Sequence, residues 1–213
     1  MSEVCDEKRF EKSVAGALKE IRAGIEDGLF TAFPGEHNWE VAHRVLMPAF
    51  GPLSIRGMFD EMHDIASQLV MKWARFGPKE TINVTDDFTR LTLDSIAICA
   101  MDTRFNSFYK PELHPFVDAM VGLLVESGER ARRPAIQTYL MGAALKQRDD
   151  NIAFMKKVAA EVVAERRAHP SDKKDLLNAM ILGRDPKTGE GLTDASIMNN
   201  MITFLIAGED RTL

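Results

Sequence analysis

Asp194-Ala-Ser-Ile-Met-Asn-Asn-Met-Ile-Thr-Phe-Leu-Ile-Ala-Gly-Glu-Asp-Arg-Thr-Leu213 closes the sequence. Ile197, Met198, Met201, Ile202, Phe204, Leu205 and Ile206 leave no continuous polar stripe, so a helix here is apolar nearly all round. Such a helix belongs in the middle of a domain. Ala207 and Gly208 follow, two small residues where a large group can approach the backbone, and then Glu209 and Asp210. No capping residue comes after them, so the pattern reads as the central helix of a fragment of a larger fold.

Working outward, the 213 residues suffice for one substantial domain or part of a bigger one. Composition is that of an ordinary soluble globular protein, with 45% hydrophobic residues, 28% charged and a net charge of -5. An acidic balance with scattered basic residues argues against a nucleic-acid partner. No apolar run approaches the ~18 residues of a membrane span, and the N-terminus lacks the apolar core of a signal peptide. Cys5 and Cys99, far apart in helical surroundings, read as reduced thiols. A cytoplasmic protein is the expectation.

The rest of the chain is expected to be mainly α. Phe10, Val14, Leu18, Ile21 and Ile25 recur at helical spacing and predict a helix from Lys8 to Ile25, closed by Gly28. The loop 28–35 presents two aromatics, Phe30 and Phe33, among turn residues. Asn38 is the expected N-cap of a helix from Trp39 to about Met47. Trp39 and His43, four apart, share one face. A Trp packed on the core beside a solvent-edge His, or a pair of N–H donors aimed at one anionic group, fits that spacing equally well. Leu53 to Phe76 predicts one long amphipathic helix, and Phe88 to Met101 a second apolar one, with Thr85 as its cap. Cys99 reads there as a small buried hydrophobe. Pro115 opens a helix to about Ala131, ended by Arg132, Arg133 and Pro134. Helices from Ala143 to Ala168 and from Asp175 to Leu182 follow, then a turn-rich loop, and Thr193 caps the last helix.

The five histidines form no ligand-spaced set, and neither a Ser elbow nor a phosphate or dinucleotide loop appears. Residue patterns alone stop at a soluble helical domain. Ordered strings add more: Asp27-Gly-Leu-Phe-Thr31, Asn38-Trp39 with Ala42-His43, Arg90-Leu-Thr-Leu-Asp94, Arg104-Phe-Asn-Ser-Phe-Tyr109, His114-Pro-Phe116, Asp185-Pro with Thr188-Gly-Glu190, and Ile202-Thr-Phe-Leu-Ile-Ala-Gly208. Through these the chain resembles the cytochrome P-450 superfamily, most closely the soluble fatty-acid hydroxylases of bacteria and fungi whose haem domain is fused to a flavin reductase.

The resemblance implies the distal helical part of that fold, with haem b as cofactor and electrons from NADPH through FMN and FAD of a reductase. It implies that Trp39 and His43 hydrogen-bond the haem propionates, that Phe30 stands over the haem face, and that Leu18, Ile21, Phe30, Leu124 and Ile206 wall a channel for a long apolar substrate. Ala207 and Gly208 match the point where the central helix crosses the haem. Asp210 and Thr212 match the acid and a Thr that relay protons, whereas Arg211 stands where the family pattern has the hydroxyl-bearing Thr. The family's N-terminal sheet and its Cys-thiolate loop have no counterpart in the sequence, so no axial iron ligand is expected here and the chain alone is expected to be inactive. The alternative is a non-catalytic helical remnant or binding module, which would fold alone and hold an apolar ligand or a partner.

Overall fold

The computed structural model describes residues 10–208, and among these every regular element is a helix. Ten α-helices and one 3-10 turn follow in order: α1 (Ala17–Ile25), α2 (His37–Leu46), the turn Met47–Phe50, α3 (Pro52–Gly57), α4 (Phe59–Ala74), α5 (Val84–Met101), α6 (Pro115–Arg132), α7 (Ala135–Leu140), α8 (Gly142–Ala168), α9 (Leu176–Leu182) and α10 (Asp194–Gly208). The mainly α expectation holds.

The closing stretch sits where its composition requires. From Ser196 to Ile206 every residue of α10 except Met198 is buried, and the helix packs on α1, α5, α8 and α9 at once. Thr193 caps it, its Oγ1 accepting from the Ser196 N–H at 3.2 Å. Around α10, α6 pairs with α1 and α8, α4 with α5, and α2 with α9. One cluster of buried side chains runs through α1, α2, α5, α6, α8, α9 and α10.

Several boundaries differ from the sequence expectation, each for a local reason. The first helix starts at Ala17, not Lys8, because Gly16 takes φ +56°, a conformation that side-chain-bearing residues rarely adopt. Phe10 is left half-exposed. The second begins at His37, and Asn38 is not its cap: its Nδ2 donates to Asp27 Oδ2 at 2.5 Å, a carboxylate being the stronger partner. The long helix expected over 53–76 breaks at Met58 into α3 and α4. The next helix is capped by Asn83, which accepts from the Asp86 N–H at 3.2 Å, rather than by Thr85. The short α7 between Pro134 and Gly142 was not expected at all.

Candidate functional site

On α2, the rings of Trp39 and His43 stack with centroids 4.8 Å apart and planes within 18°. A spacing of four residues places them one above the other, so the contact follows from the helix itself. Trp39 Nε1 has no hydrogen-bond acceptor among the described residues. A third donor joins them from outside the helix: Lys12 Nζ lies 5.4 Å from the centroid of the Trp39 ring and donates to the Leu29 carbonyl at 3.2 Å. Burial pushes the Lys12 ammonium below its usual range, against the upward pull of Glu36. Sequence reading missed Lys12, because nothing local signals a partner 27 positions away.

The loop carrying Phe30 is fastened to α10. Leu29 N–H donates to Asn200 Oδ1 at 2.9 Å, and Thr31 Oγ1 donates to the Glu26 carbonyl at 2.8 Å. Gly28 approaches Thr203 so closely that a Cβ there would lie 2.5 Å from its Oγ1. Phe30, two residues on, remains 45% exposed. Ala207 lies four residues beyond Thr203, on the same face of α10, and is exposed although the six residues before it are buried. Gly208 turns elsewhere: a Cβ there would meet Ile96 of α5 at 3.0 Å. The Phe50 ring, just past α2, lies 5.7 Å from that of Phe204, so the end of α2 also borders this part of α10.

Leu18 and Ile21 of α1, Leu124 of α6 and Ile206 of α10 fall in one apolar cluster, with Ile21 and Ile206 fully within it. Asp210, Arg211 and Thr212 lie outside the described residues, as does Cys5. Cys99 is buried, its thiol pushed up by burial and placed 3.8 Å from the Met58 carbonyl. Three N–H donors, of which Trp39 Nε1 has no acceptor among the described residues, lie next to a loop with an exposed aromatic, an arrangement that fits a flat apolar group carrying carboxylates. Haem b, the cofactor that the family resemblance implies, is a group of that kind.

Residues 2–213 match the family model described as Cytochrome P450. The chain belongs to the cytochrome P450 family. It is 62% identical over 211 residues, 99% of its length, to a bifunctional cytochrome P450/NADPH–P450 reductase of Aspergillus oryzae. It is 60% identical over 215 residues, 100% of its length, to a bifunctional enzyme of the same description from Acremonium egyptiacum. A self-sufficient cytochrome P450 monooxygenase of Phanerodontia chrysosporium is 54% identical over 212 residues, again 100% of the chain. The matched stretch covers 19% of the first of these proteins and 20% of the other two, so the chain spans about a fifth of their length.

Two strings that carried the resemblance form one device in this P450 chain. Arg90, buried on α5, donates Nη1 to the carbonyls of Ser107 and Lys110 and Nη2 to that of Pro111. Asp94, one turn on, accepts from the Ser107 N–H and Oγ at 2.8 Å each. Arg90-Leu-Thr-Leu-Asp94 thus holds the loop 105–111, and burial outweighs these bonds enough to push the Asp94 carboxyl up. The same loop ends at His114, whose Nδ1 caps α6 by accepting from the Phe116 N–H at 3.2 Å.

Proposed function

We propose that this chain supplies the distal, haem-facing helices of a monooxygenase that hydroxylates fatty acids or similar long apolar molecules, drawing electrons from NADPH through a flavin reductase. One observation carries the reading: the donors of Trp39, His43 and Lys12 gather at one edge, and Lys12 is tied through the Leu29 carbonyl to the loop that exposes Phe30. Haem, when bound, supplies the redox iron chemistry that activates oxygen. The residues of this chain do the rest. Trp39, His43 and Lys12 orient the cofactor by its carboxylates, where charge-assisted bonds are strong. Phe30 screens one face, and Ala207 leaves room for a small molecule beside it. Leu18, Ile21, Leu124 and Ile206 exclude water from an apolar chain, which has no polar group to select for other than at its end. Asp210 and Thr212, which follow α10 in the sequence, move protons. Fusion to a reductase in the similar proteins, as their names give it, supports the electron source. No helix among the described residues is long and apolar enough to cross a membrane, which accords with a cytoplasmic setting for this reading.

The test is a chimera in which this chain replaces the matched stretch of the Aspergillus oryzae protein. Mass spectrometry of NADPH-driven reactions with saturated fatty acids should detect hydroxylated products. A chimera that loads haem and oxidises NADPH, yet oxygenates no long apolar substrate, overturns the proposal.

A further inference from the structure

The helix that presents Trp39 and His43 is gripped at both ends by the segment leaving α9. At Gly183 a Cβ would lie 2.5 Å from Val45 Cγ1 and 2.2 Å from the Ala179 carbonyl oxygen, so the absence of a side chain lets the segment touch α2. Two residues on, Arg44 donates Nε and Nη2 to the two carboxylate oxygens of Asp185 at 2.7 and 2.8 Å. Asp185 is buried and also fixes its own turn, accepting from the Lys187 N–H at 3.1 Å and the Thr188 hydroxyl at 2.8 Å. Its backbone closes the turn through the Gly189 N–H and the Glu190 carbonyl. At the other end of α2, His37 Nε2 meets Glu190 Oε2 at 2.6 Å. Bonds from Arg44 hold the Asp185 carboxyl well below the usual carboxylate range.

A two-bond fork between a guanidinium and a carboxylate admits one relative orientation, which a single bond does not. Arg44 follows His43 directly, so a rotation of α2 that breaks the fork swings the His43 and Trp39 rings through the same angle. The apolar residues Val41, Ala42, Val45 and Leu46 choose which face of α2 is buried, but an apolar contact is non-directional. Fine rotation is left to directional bonds: Asn38 to Asp27 and His37 to Glu190 act at the start of α2, and the fork, the one of these with two bonds, acts near its end.

We propose that Asp185 is a positioning residue for cofactor binding: through Arg44 it sets the rotation of α2 so that Trp39 and His43 present their donors to the haem carboxylates. This rests on the assignment of Trp39 and His43 made above.

The test uses the full chain within the chimera described above, loaded with ferric haemin, and follows by absorbance its loss to an excess of apomyoglobin. Arg44→Gln removes the fork while leaving the turn's own bonds to Asp185 intact; Asp185→Asn is the second variant. Each is placed in the unsubstituted chain and in a Trp39→Phe/His43→Phe background. Arg44→Gln should speed haemin loss about tenfold in the former, the scale typical of residues that orient a binding group, and leave it unchanged in the latter. Equal acceleration in both backgrounds would assign a purely structural role and overturn the proposal, as would no acceleration in either. If Trp39→Phe/His43→Phe itself leaves haemin loss unaltered, the site assignment falls and the proposal with it.

Discussion

Gly28 sits against Thr203 so closely that a Cβ on it would lie 2.5 Å from Thr203 Oγ1 and 3.1 Å from the Asn199 carbonyl oxygen. This contact is where the loop bearing Phe30 meets the central helix, so the fold and the candidate site share it.

Gly28→Ala should therefore push the loop off α10. Overpacking of this kind costs about 1–3 kcal/mol, and a thermal melt should register it. Thr203→Ala in the same chain removes the Oγ1 that the new methyl strikes, so the double variant should recover part of the loss. No recovery would place the strain at the backbone oxygens of Asn199 and Ile25 instead, both within 3.2 Å.

Arg90 gathers three backbone carbonyls of the loop that follows α5. Arg90→Met strands these acceptors and Asp86, which accepts from Arg90 Nε at 2.9 Å. Leaving a buried acceptor without its donor costs about 1–3 kcal/mol, and the i,i+4 pair with the part-exposed Asp86 adds little to that. Denaturant unfolding should show that loss, and amide exchange should quicken first in 107–111. A variant as stable as the parent would mean that the loop is held by Asp94 alone.

A third prediction concerns pH. Burial alone would raise the Asp87 carboxyl, but bonds from Lys72 and from Trp73 Nε1, the latter 2.6 Å away, outweigh it and leave the carboxyl below its ordinary value. The folded chain therefore binds that proton more weakly than the unfolded one. Its contribution to stability is complete above about pH 4 and is lost as pH falls through the depressed value. Asp87→Asn should flatten this acid limb without altering the profile near neutrality. In a Trp39→Phe chain, Trp73 emission should change over the same acid range, and an unchanged slope in the Asn variant would refute the assignment.

How much of this was legible in the sequence follows from the range of each interaction. The burial of α10 is written in its own residues, and Trp39 with His43 in a spacing of four. Element ends were less readable: the break at Gly16 comes from a positive φ, and the break at Met58 lies inside a periodic pattern that continues across it. Lys12 and Asp185 were invisible as site residues because their partners are distant, 141 positions away for Asp185 and Arg44. The sequence string around Asp185 carried the family resemblance without revealing that it clamps α2.

Phe30 is the residue whose role separates fold from function most cleanly. Its ring is 45% exposed and the loop around it is held by Leu29, Thr31 and Gly28, not by Phe30 itself. Phe30→Ala should therefore leave stability within about 0.5 kcal/mol of the parent, as exposed substitutions usually do. If the ring screens the haem face as proposed, its removal opens space over that face and lets an apolar chain sit at a different depth. Chromatography of the hydroxylated fatty acids formed by the haem-loaded chimera should then show the oxygen moved along the chain. Identical product distributions from both proteins, with unchanged stability, would place Phe30 away from the substrate and leave it a surface aromatic.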